Sequence, residues 1–276
     1  MPELPEVETV RRGLAPALIG RRIKSVAITR DRAVRRQPHD EFVARVRGRR
    51  FEGVRRHGKF LIFDLDDGDV MIGHLRMSGQ LRIASRRDEL LKHTHVVVDL
   101  DDGSQLRFVD PRTFGELWTD ALEGERPLSL RHLGPDALAR GTLTHLVGTR
   151  NIKSVLLDQT VVAGVGNIYA DEALFASRIH PLRPAGSVGA DELKTLRHEL
   201  GKILRAAIKS RGTTFDDFAY VDAYGRRGGF TPKVYGRDGQ PCVGCGGPIT
   251  KLVVAQRGTH VCETCQASTN RAGAPR

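Results

Sequence analysis

The sequence predicts an α+β protein of two domains: an N-terminal β-sandwich flanked by one helix, and a C-terminal helical domain that ends in a cysteine-bearing β-hairpin. Short alternating strands with regular turn signals fill residues 21–120, and helical periodicity replaces them after residue 140. All four cysteines then fall between positions 242 and 265. With 276 residues the chain is long enough for two modest cores.

The first element is an amphipathic helix expected over residues 5–15. Its apolar residues recur at helical spacing, at Leu4, Val7, Val10 and Leu14. Pro5 suits a first helical turn, whereas Pro16 is expected to end or kink the helix. The buried face of this helix would hold the N-terminal residues in place.

The residues around the start of this helix include a candidate nucleophile. Removal of Met1 would leave Pro2 as a secondary amine. An α-amino group has a pKa of roughly 7.7–8.0, low enough for attack on an electrophilic carbon. Glu3 and Glu6 stand near that amine, where carboxylates can move protons. Ordinary helix capping is the alternative interpretation of both glutamates.

Alternating apolar residues predict the strands of the sandwich, at residues 23–28, 60–65, 70–72, 96–100 and 105–109. Asp-Asp-Gly turns at 66–68 and 101–103 follow two of them. Many short strands with regular turns are typical of a sandwich or a barrel.

Loops between these strands carry four residues of interest. Lys59 stands at a strand entry, Met77 lies in a Gly/Ser turn where we expect it to be exposed, and Arg112 and Phe114 share the loop 110–115. Taken singly, Lys59, Met77 and Phe114 have a structural explanation, as a solvated charge or as core side chains.

The C-terminal half begins with a Gly- and Pro-containing stretch, residues 121–140, that is typical of a linker. Helices are expected over residues 142–147, 151–157, 168–177 and 190–210. The turn Gly164-Val165-Gly166 precedes Asn167, which is predicted to cap the third of these helices. The N–H groups at such a helix start attract phosphate.

The cysteines form two C-x-x-C turns, Cys242–Cys245 and Cys262–Cys265, separated by sixteen residues. Four thiolates at this spacing predict a tetrahedral structural Zn²⁺, with a redox dithiol as the alternative. Residues 252–255 and 259–261 can pair as a hairpin, with Arg257 and Gly258 expected at its tip.

The composition limits the classes of function. Lys and Arg number 44 against 33 Asp and Glu, and the net charge of +11 indicates a polyanionic partner. A solvated basic surface without a partner is the alternative. Apolar runs stay far below the ~20 residues of a membrane span, and the N-terminus lacks the pattern of a signal peptide. We therefore expect a cytoplasmic protein.

The run Pro2–Thr9, PELPEVET, closely resembles the N-terminus of bacterial formamidopyrimidine-DNA glycosylases, and the resemblance recurs at intervals to Cys265. It implies a bifunctional DNA glycosylase/AP lyase of base excision repair with a helix–two-turn–helix motif and a β-hairpin zinc finger. Such an enzyme excises 8-oxoguanine and formamidopyrimidines from duplex DNA through a Schiff base at Pro2, then cleaves the strand by β,δ-elimination.

The resemblance also assigns roles to individual residues. Catalytic roles are implied for Pro2, Glu3, Lys59 and Arg257, and a base-pocket role for Glu6. Contacts with DNA are implied for His74, Met77, His93, Arg112, Phe114, Arg150, Asn167 and Tyr235. One structural Zn²⁺ would be held by Cys242, Cys245, Cys262 and Cys265. Met77, Arg112 and Phe114 would enter the duplex where the damaged base has left.

Two positions depart from the family pattern. Arg76 stands where glycine is common, and Thr113 where a second basic residue is frequent. A related endonuclease VIII-like enzyme for oxidised pyrimidines is the first alternative, and Leu4 argues against it because that family usually has glycine there. A non-catalytic zinc DNA-binding protein is the second alternative. Such a protein would need Arg257 and Asn167 but would have no use for a free Pro2.

The expected domains are a catalytic sandwich over residues 1–120, the linker 121–140, a helix–two-turn–helix domain over 141–231, a zinc finger over 232–267 and a disordered tail over 268–276. The expected partner is double-stranded DNA with an oxidised purine or abasic lesion. We expect a monomer, associated with the bacterial nucleoid through DNA binding.

Overall fold

The computed structural model describes residues 1–215 and 220–267. The chain forms two compact units. The first combines Met1–His132 with Ala207–Phe230, and the second combines Leu133–Ala206 with the chain from Thr231 onward. The expected tail at 268–276 lies outside the described residues. So do residues 216–219, which belong to a stretch rich in Gly, Arg, Asp and Tyr over residues 215–231, called here the Gly- and Arg-rich loop.

The first helix, α1, runs from Leu4 to Leu18 with Glu3 as its N-cap. It therefore continues past Pro16, and the prediction that this proline ends the helix was wrong. Leu14 and Leu18 are fully buried on one face, so packing of the last turn outweighs the backbone bond that proline cannot make.

Two antiparallel sheets form the sandwich of the first unit. One has the strand order β1-β6-β7-β5, with bounds Ile23–Ile28, Thr94–Leu100, Ser104–Val109 and Gln80–Ser85. The other has the order β2-β3-β4-β8-β9, with bounds Phe51–His57, Phe60–Leu65, Asp69–His74, Glu116–Glu123 and Arg126–Pro127. The predicted strands all occur, and three of them are one to three residues longer than predicted.

Both sheets and α1 share one hydrophobic core. Its members include Val7 and Val10 of α1, Phe63 of the five-stranded sheet and Phe108 of the four-stranded sheet, all at most 1% exposed. The helix that carries the N-terminus is therefore fixed by the largest apolar cluster of this unit.

Three further segments belong to this unit. Helix α2 spans His39–Val46. Of residues 121–140, expected as a linker, those up to His132 belong here and contain the end of β8, all of β9 and a 3-10 turn at Leu128–Leu130, whereas Leu133 and the residues after it belong to the second unit. Residues 207–215 and 220–230 also cluster here, and the Tyr224 hydroxyl donates to the Gly13 carbonyl of α1 at 3.1 Å.

The second unit contains α3 at Ile152–Leu157, α4 at Asn167–Ala176 and most of α5, which spans Ala190–Lys209. The helix expected over residues 142–147 does not form. Leu143 has a φ of +55°, which a right-handed helix does not allow, and glycines with positive φ flank the segment at 141 and 148.

The cysteine module is a hairpin of β10, Thr250–Val254, and β11, Arg257–Val261. Its tip is Ala255 and Gln256, both with positive φ, so the prediction of Arg257 and Gly258 at the tip was wrong. A two-residue turn with positive φ matches the twist of the strands and moves Arg257 to the start of β11. Within the described parts of the chain, no helix is both long and apolar enough to cross a membrane.

Candidate active site and zinc centre

The N-terminal residues are packed inside the first unit. Pro2 is buried, and Glu3 and Glu6 are 3% and 1% exposed. The two glutamates form a reciprocal capping box, in which the Glu3 amide donates to Glu6 Oε2 at 2.8 Å. The capping interpretation is thus correct in geometry, and it also fixes both carboxylates beside the chain terminus.

The terminal amine faces charges of both signs. Burial lowers the pKa of the Met1 amine to about 6, against the opposing influence of Glu3 and Glu6. Lys59 and Arg112 lower this pKa further. An amine at this point of the fold is therefore largely neutral at pH 7, which is the protonation state that a nucleophile requires.

Glu6 binds a second backbone segment. Its Oε1 accepts the Thr213 amide at 2.8 Å, and its backbone carbonyl accepts the Tyr220 hydroxyl at 3.2 Å. Gly212 has a φ of +83°, and a Cβ there would lie 2.7 Å from Glu6 Oε1. Only glycine permits this approach, so the residues that lead into the Gly- and Arg-rich loop are anchored on the helix that carries Pro2.

Lys59 sits in the two-residue turn between β2 and β3 and is 6% exposed. Gly58, the first residue of that turn, has a φ of +56°. The Gly58 carbonyl accepts Arg56 Nη1 at 2.9 Å, and Arg56 Nε donates to Glu8 Oε2 at 3.2 Å. Glu8 and Arg56 thus tie the lysine turn to α1. Sequence analysis missed both, although the spacing of Glu8 to Arg11 and Arg12 was a visible signal of an ion-pair cluster.

His74 ends β4 and is 6% exposed, with its ring 4.4 Å from that of Phe60. The backbone N–H of Arg76 donates to His74 Nδ1 at 3.1 Å, which leaves the proton on Nε2. Burial holds the pKa of His74 well below its usual value, and Arg76, Lys59 and Arg36 add to the effect. His74 is therefore a neutral imidazole whose Nε2–H can donate a hydrogen bond.

Three loop residues predicted to enter DNA lie in two loops that cross between the sheets. Met77 is half-buried and so less exposed than predicted, whereas Arg112 is exposed and Phe114 is 45% exposed. The Arg112 guanidinium lies 5.3 Å from the centre of the Phe114 ring. An apolar side chain and a hydrogen-bonding cation therefore stand side by side on one loop.

The two positions that depart from the family pattern are in the same loops. Arg76 and Thr113 have φ values of +51° and +57°, in the region that favours glycine. The Arg76 guanidinium binds the buried Glu116 carboxylate at 2.7 Å, and the Thr113 carbonyl accepts Arg35 Nη2 at 3.2 Å. His93, another predicted DNA contact, is exposed and also has positive φ.

A buried polar network organises the second unit. Lys153 and Asp171 have fully buried side chains and form an ion pair of 2.6 Å. Lys153 Nζ also donates to Thr259 Oγ1 at 2.7 Å and to the Gly258 carbonyl at 3.2 Å. Asp171 Oδ2 accepts the His260 amide at 2.9 Å. The hairpin strand that begins at Arg257 is thus bound to α3 and α4, and sequence analysis did not predict these contacts.

Asn167 does not cap α4 as predicted, because the N-cap is Gly166 and Asn167 is the first helical residue. Its Nδ2 instead donates to the Gly258 carbonyl at 2.8 Å. Its buried Oδ1 has no hydrogen-bond partner within the described residues. Glycine at the cap leaves the asparagine side chain available for the hairpin.

The other two predicted DNA contacts of this unit have partners in the protein. Arg150 is exposed and forms an ion pair with Asp158 at 2.9 Å. The Tyr235 ring lies 4.9 Å from His260, and its amide is one of three that donate to the buried carboxylate of Glu172. Arg257 is exposed at the start of β11.

The four cysteines meet as predicted. All four Sγ atoms lie within 4.8 Å of one another, with Cys245 to Cys262 at 3.4 Å and Cys242 to Cys265 at 3.8 Å. A tetrahedral Zn²⁺ with Zn–S bonds of about 2.3 Å places the sulfurs about 3.8 Å apart. Four thiolates leave no open coordination position, so the metal is structural.

Known proteins match the chain along nearly its whole length. The sequence profile of the formamidopyrimidine-DNA glycosylase N-terminal domain matches residues 1–117, the H2TH domain of the same enzymes matches 132–219, and a zinc finger found in FPG and IleRS matches 239–267. A formamidopyrimidine-DNA glycosylase of Symbiobacterium thermophilum is 44% identical over 275 residues, covering 96% of this chain and 89% of that protein. The chain belongs to the formamidopyrimidine-DNA glycosylase family.

Solved structures of the family agree with the fold. The MutM (FPG) protein of Thermus thermophilus is 42% identical, with a TM-score of 0.83 and coverage of 96% of this chain and 98% of that chain. A Lactococcus lactis FPG variant in complex with Fapy-dG-containing DNA is 33% identical, with a TM-score of 0.84 and coverage of 97% and 100%. Other complexes of the L. lactis protein contain abasic-site DNA or an oxidised pyrimidine.

Membership confirms several predictions. The protein is a DNA glycosylase of base excision repair in a family that also has AP lyase activity. Its architecture is the predicted sandwich with an H2TH domain and a zinc finger, and the four cysteines hold one structural Zn²⁺.

Proposed function

We propose that this enzyme excises oxidised purines from duplex DNA with the nitrogen of Pro2 as the nucleophile, once Met1 has been removed. The observation that carries the proposal is the position of Pro2, which is buried beside the two capping glutamates Glu3 and Glu6, at a point where the neighbouring Met1 amine has its pKa lowered to about 6. A neutral secondary amine next to carboxylates suits Schiff-base chemistry better than it suits a structural cap.

In the proposed reaction the Pro2 nitrogen attacks C1′ of the damaged nucleotide, and the C1′–N bond to the base breaks. Glu3 supplies and accepts protons as the sugar ring opens to the iminium ion. The iminium acidifies the 2′ position, so that β-elimination and then δ-elimination cut the strand on both sides of the lesion. Lys59, 6% exposed at the turn beside the amine, is assigned to the phosphate next to the lesion and to proton transfer during strand cleavage.

The damaged nucleotide leaves the base stack at a cost of a few kcal/mol. Met77, Arg112 and Phe114 are assigned to the space that it leaves, since an apolar wedge with a hydrogen-bonding arginine offsets the lost stacking. Glu6 is assigned to the base pocket through its position beside Gly212 and Thr213.

Contacts with the DNA backbone are assigned to His74 and His93 in the first unit and to Arg150, Asn167 and Tyr235 in the second. Arg257 is assigned both to DNA binding and to the δ-elimination step. The neutral His74 can donate from Nε2 to a phosphate oxygen. We assign the reaction at the sugar to the sandwich and the binding of the duplex to the H2TH and zinc modules, with Arg257 of the zinc module also acting in δ-elimination. The net charge of +11 supports binding to the DNA backbone. We expect the enzyme to act as a monomer on the bacterial nucleoid.

Substrate preference is the second part of the proposal. A solved complex of the L. lactis relative contains Fapy-dG, which favours purine lesions as the substrates of this enzyme. Another complex of that protein contains an oxidised pyrimidine, so activity on pyrimidine lesions is the alternative to test. The two preferences are distinguished by the single-turnover cleavage rates of matched duplexes that contain 8-oxoguanine or thymine glycol. Faster single-turnover cleavage of the thymine glycol duplex would overturn the assignment to purines.

Two variants test the chemistry. Pro2→Gly, assayed by borohydride trapping on an abasic duplex, is expected to lose most of the covalent adduct. An unchanged yield of adduct would remove Pro2 as the nucleophile. Glu3→Gln is expected to bind lesion DNA with little change and to leave it uncut, and normal cutting would exclude Glu3 from proton transfer.

A further inference from the structure

Asp110 is a fully buried acidic residue outside the set assigned to the reaction, with an exposure of 0%. It follows β7 and opens the loop 110–115, which crosses from the four-stranded sheet to the five-stranded sheet. The loop 75–79 makes the reverse crossing, from β4 to β5. Because β4 pairs with β8 and β5 pairs with β7, both loops lie at the same end of the sandwich.

The Asp110 carboxylate joins these two loops. Oδ1 accepts the Ser78 hydroxyl, next to Met77, and also the Arg112 amide at 3.2 Å. Oδ2 accepts the Gly115 amide, next to Phe114, at 2.7 Å. Each oxygen therefore receives a donor beside one of the three residues that we assign to the space left by the base.

The backbone of Asp110 extends the same network. Its amide donates to the His93 carbonyl at 3.0 Å. Its carbonyl accepts the Thr113 amide at 3.2 Å and His95 Nε2–H at 2.8 Å. One buried residue thus fixes the two crossing loops and the strand entry that carries His93.

Burial of a carboxylate is costly unless hydrogen bonds compensate it, and a fold that needed only a loop closure could use an apolar residue here. The carboxylate differs from an amide in one decisive respect. Both of its oxygens accept a backbone N–H, so a side-chain amide in either orientation would turn its own N–H₂ group toward a backbone donor.

We propose that Asp110 is a positioning residue for lesion extrusion, which holds Met77, Arg112 and Phe114 at a fixed mutual spacing before DNA arrives. The residue does not touch the reacting atoms. A preorganised wedge spends no binding energy on ordering its loops when the base leaves the stack. This role rests on the proposed function of the three wedge residues.

The test compares two substrates with Asp110→Asn. On an 8-oxoguanine duplex, where a void must be filled, single-turnover cleavage should fall roughly tenfold or more. On a single-stranded abasic oligonucleotide, which has no partner strand and no void, borohydride trapping should fall at most about twofold. Fluorescence of 2-aminopurine beside the lesion should show slower extrusion in the variant.

Asp120→Asn is the matched control. The Asp120 carboxylate also accepts two backbone amides, those of Ala121 and Ser129, at 2.9 and 2.8 Å, but it lies on strand β8 of the same unit. It should cleave both substrates at the wild-type rate. Ser78→Ala removes one donor to Asp110 and should show a smaller loss with the same dependence on substrate, which decides the question if Asp110→Asn fails to fold.

Two results would overturn the inference: an Asp110→Asn enzyme that cleaves the duplex at the wild-type rate, or one that loses both activities to the same extent. Wild-type protein that forms no adduct on either substrate would instead remove the proposed nucleophile, and this role would fall with it. If the wild-type enzyme forms the adduct and Asp110→Asn cleaves the duplex at the wild-type rate, only the proposed role of Asp110 is overturned.

Discussion

The end of the sandwich and the zinc hairpin each present an exposed arginine, and they hold it by different means. Arg112 stands on a loop fixed by the buried carboxylate of Asp110, above a core that includes both sheets. Arg257 begins β11, the second strand of the zinc hairpin, and the apolar cluster beside it is small, with Phe175, Val234 and Ile249 next to Cys242 and Cys262.

The difference follows from the apolar area available. A sandwich with two packed sheets buries enough surface to fix its loops with hydrogen bonds alone. A hairpin of two five-residue strands does not, and such small elements depend on a metal or another staple. In the second unit the Zn²⁺ fixes one end of the hairpin, and the buried pair of Lys153 and Asp171 fixes the strand that carries Arg257.

Removal of the metal should give the largest difference between the two regions in their response. Structural zinc contributes roughly 10–16 kcal/mol to folding in zinc-finger peptides, so a strong chelator should unfold the hairpin and abolish cleavage of lesion duplexes. The single tryptophan, Trp118, lies in the sandwich and is 1% exposed, so its emission should stay unchanged. A shift of Trp118 emission on chelation would show that the sandwich depends on the metal as well.

The ion pair beneath the hairpin should give the next largest effect. Lys153→Met leaves the Asp171 carboxylate buried without its cation, which should cost about 3–5 kcal/mol in urea unfolding and weaken DNA binding. The double variant Lys153→Met with Asp171→Leu should recover part of that loss, because no unpaired charge remains. Equal stability of Lys153→Met and the double variant would contradict the expected cost of an unpaired buried carboxylate.

The surroundings of the N-terminal amine should move the pH dependence of adduct formation to lower pH. Burial, Lys59 and Arg112 lower the pKa of the Met1 amine. We expect the same surroundings to lower the pKa of the Pro2 amine after Met1 is removed, so the acid limb of borohydride trapping should lie below the roughly 7.7–8.0 of an ordinary α-amine. Lys59→Met removes a neighbouring cation and should move that limb to higher pH. A limb near pH 8 in the wild-type enzyme would show that the reacting amine is solvent-exposed.

Glu8 should give the smallest effect. Its burial is outweighed by bonds from Arg11 and Arg12, which lower its pKa from 4.5 to about 2. Because the folded pKa is depressed, the stabilisation is complete above pH 4.5 and is lost as the pH falls through about 2. Glu8→Gln should cost about 1–2 kcal/mol at pH 7 after allowance for solvent screening, and the difference should shrink at pH 3. A difference independent of pH would point to packing instead of charge.

Sequence reasoning succeeded where local pattern decides the structure. Strands such as 60–65 follow from alternation, α5 follows from its apolar stripe, and the zinc site follows from the spacing of two C-x-x-C turns. These features depend on residues close together in the chain, and their signals are strong for that reason.

Errors arose where distant contacts override local preference. Packing of Leu18 carries α1 past Pro16, and the Gly258 carbonyl draws the Asn167 side chain away from the cap. The bonds between Asp110 and Ser78 and between Lys153 and Thr259 join residues 32 and 106 positions apart. No periodicity in one sequence connects such residues, and the family resemblance named the DNA-contacting side chains without the buried groups that hold them.

The most direct test is to identify the residue that carries the deoxyribose after borohydride reduction of the enzyme with 8-oxoguanine duplex. Mass spectrometry of the digested adduct is predicted to give an N-terminal peptide that begins at Pro2 and bears the sugar on its nitrogen. A modified lysine such as Lys59, or fully active enzyme that still carries Met1, would contradict the account.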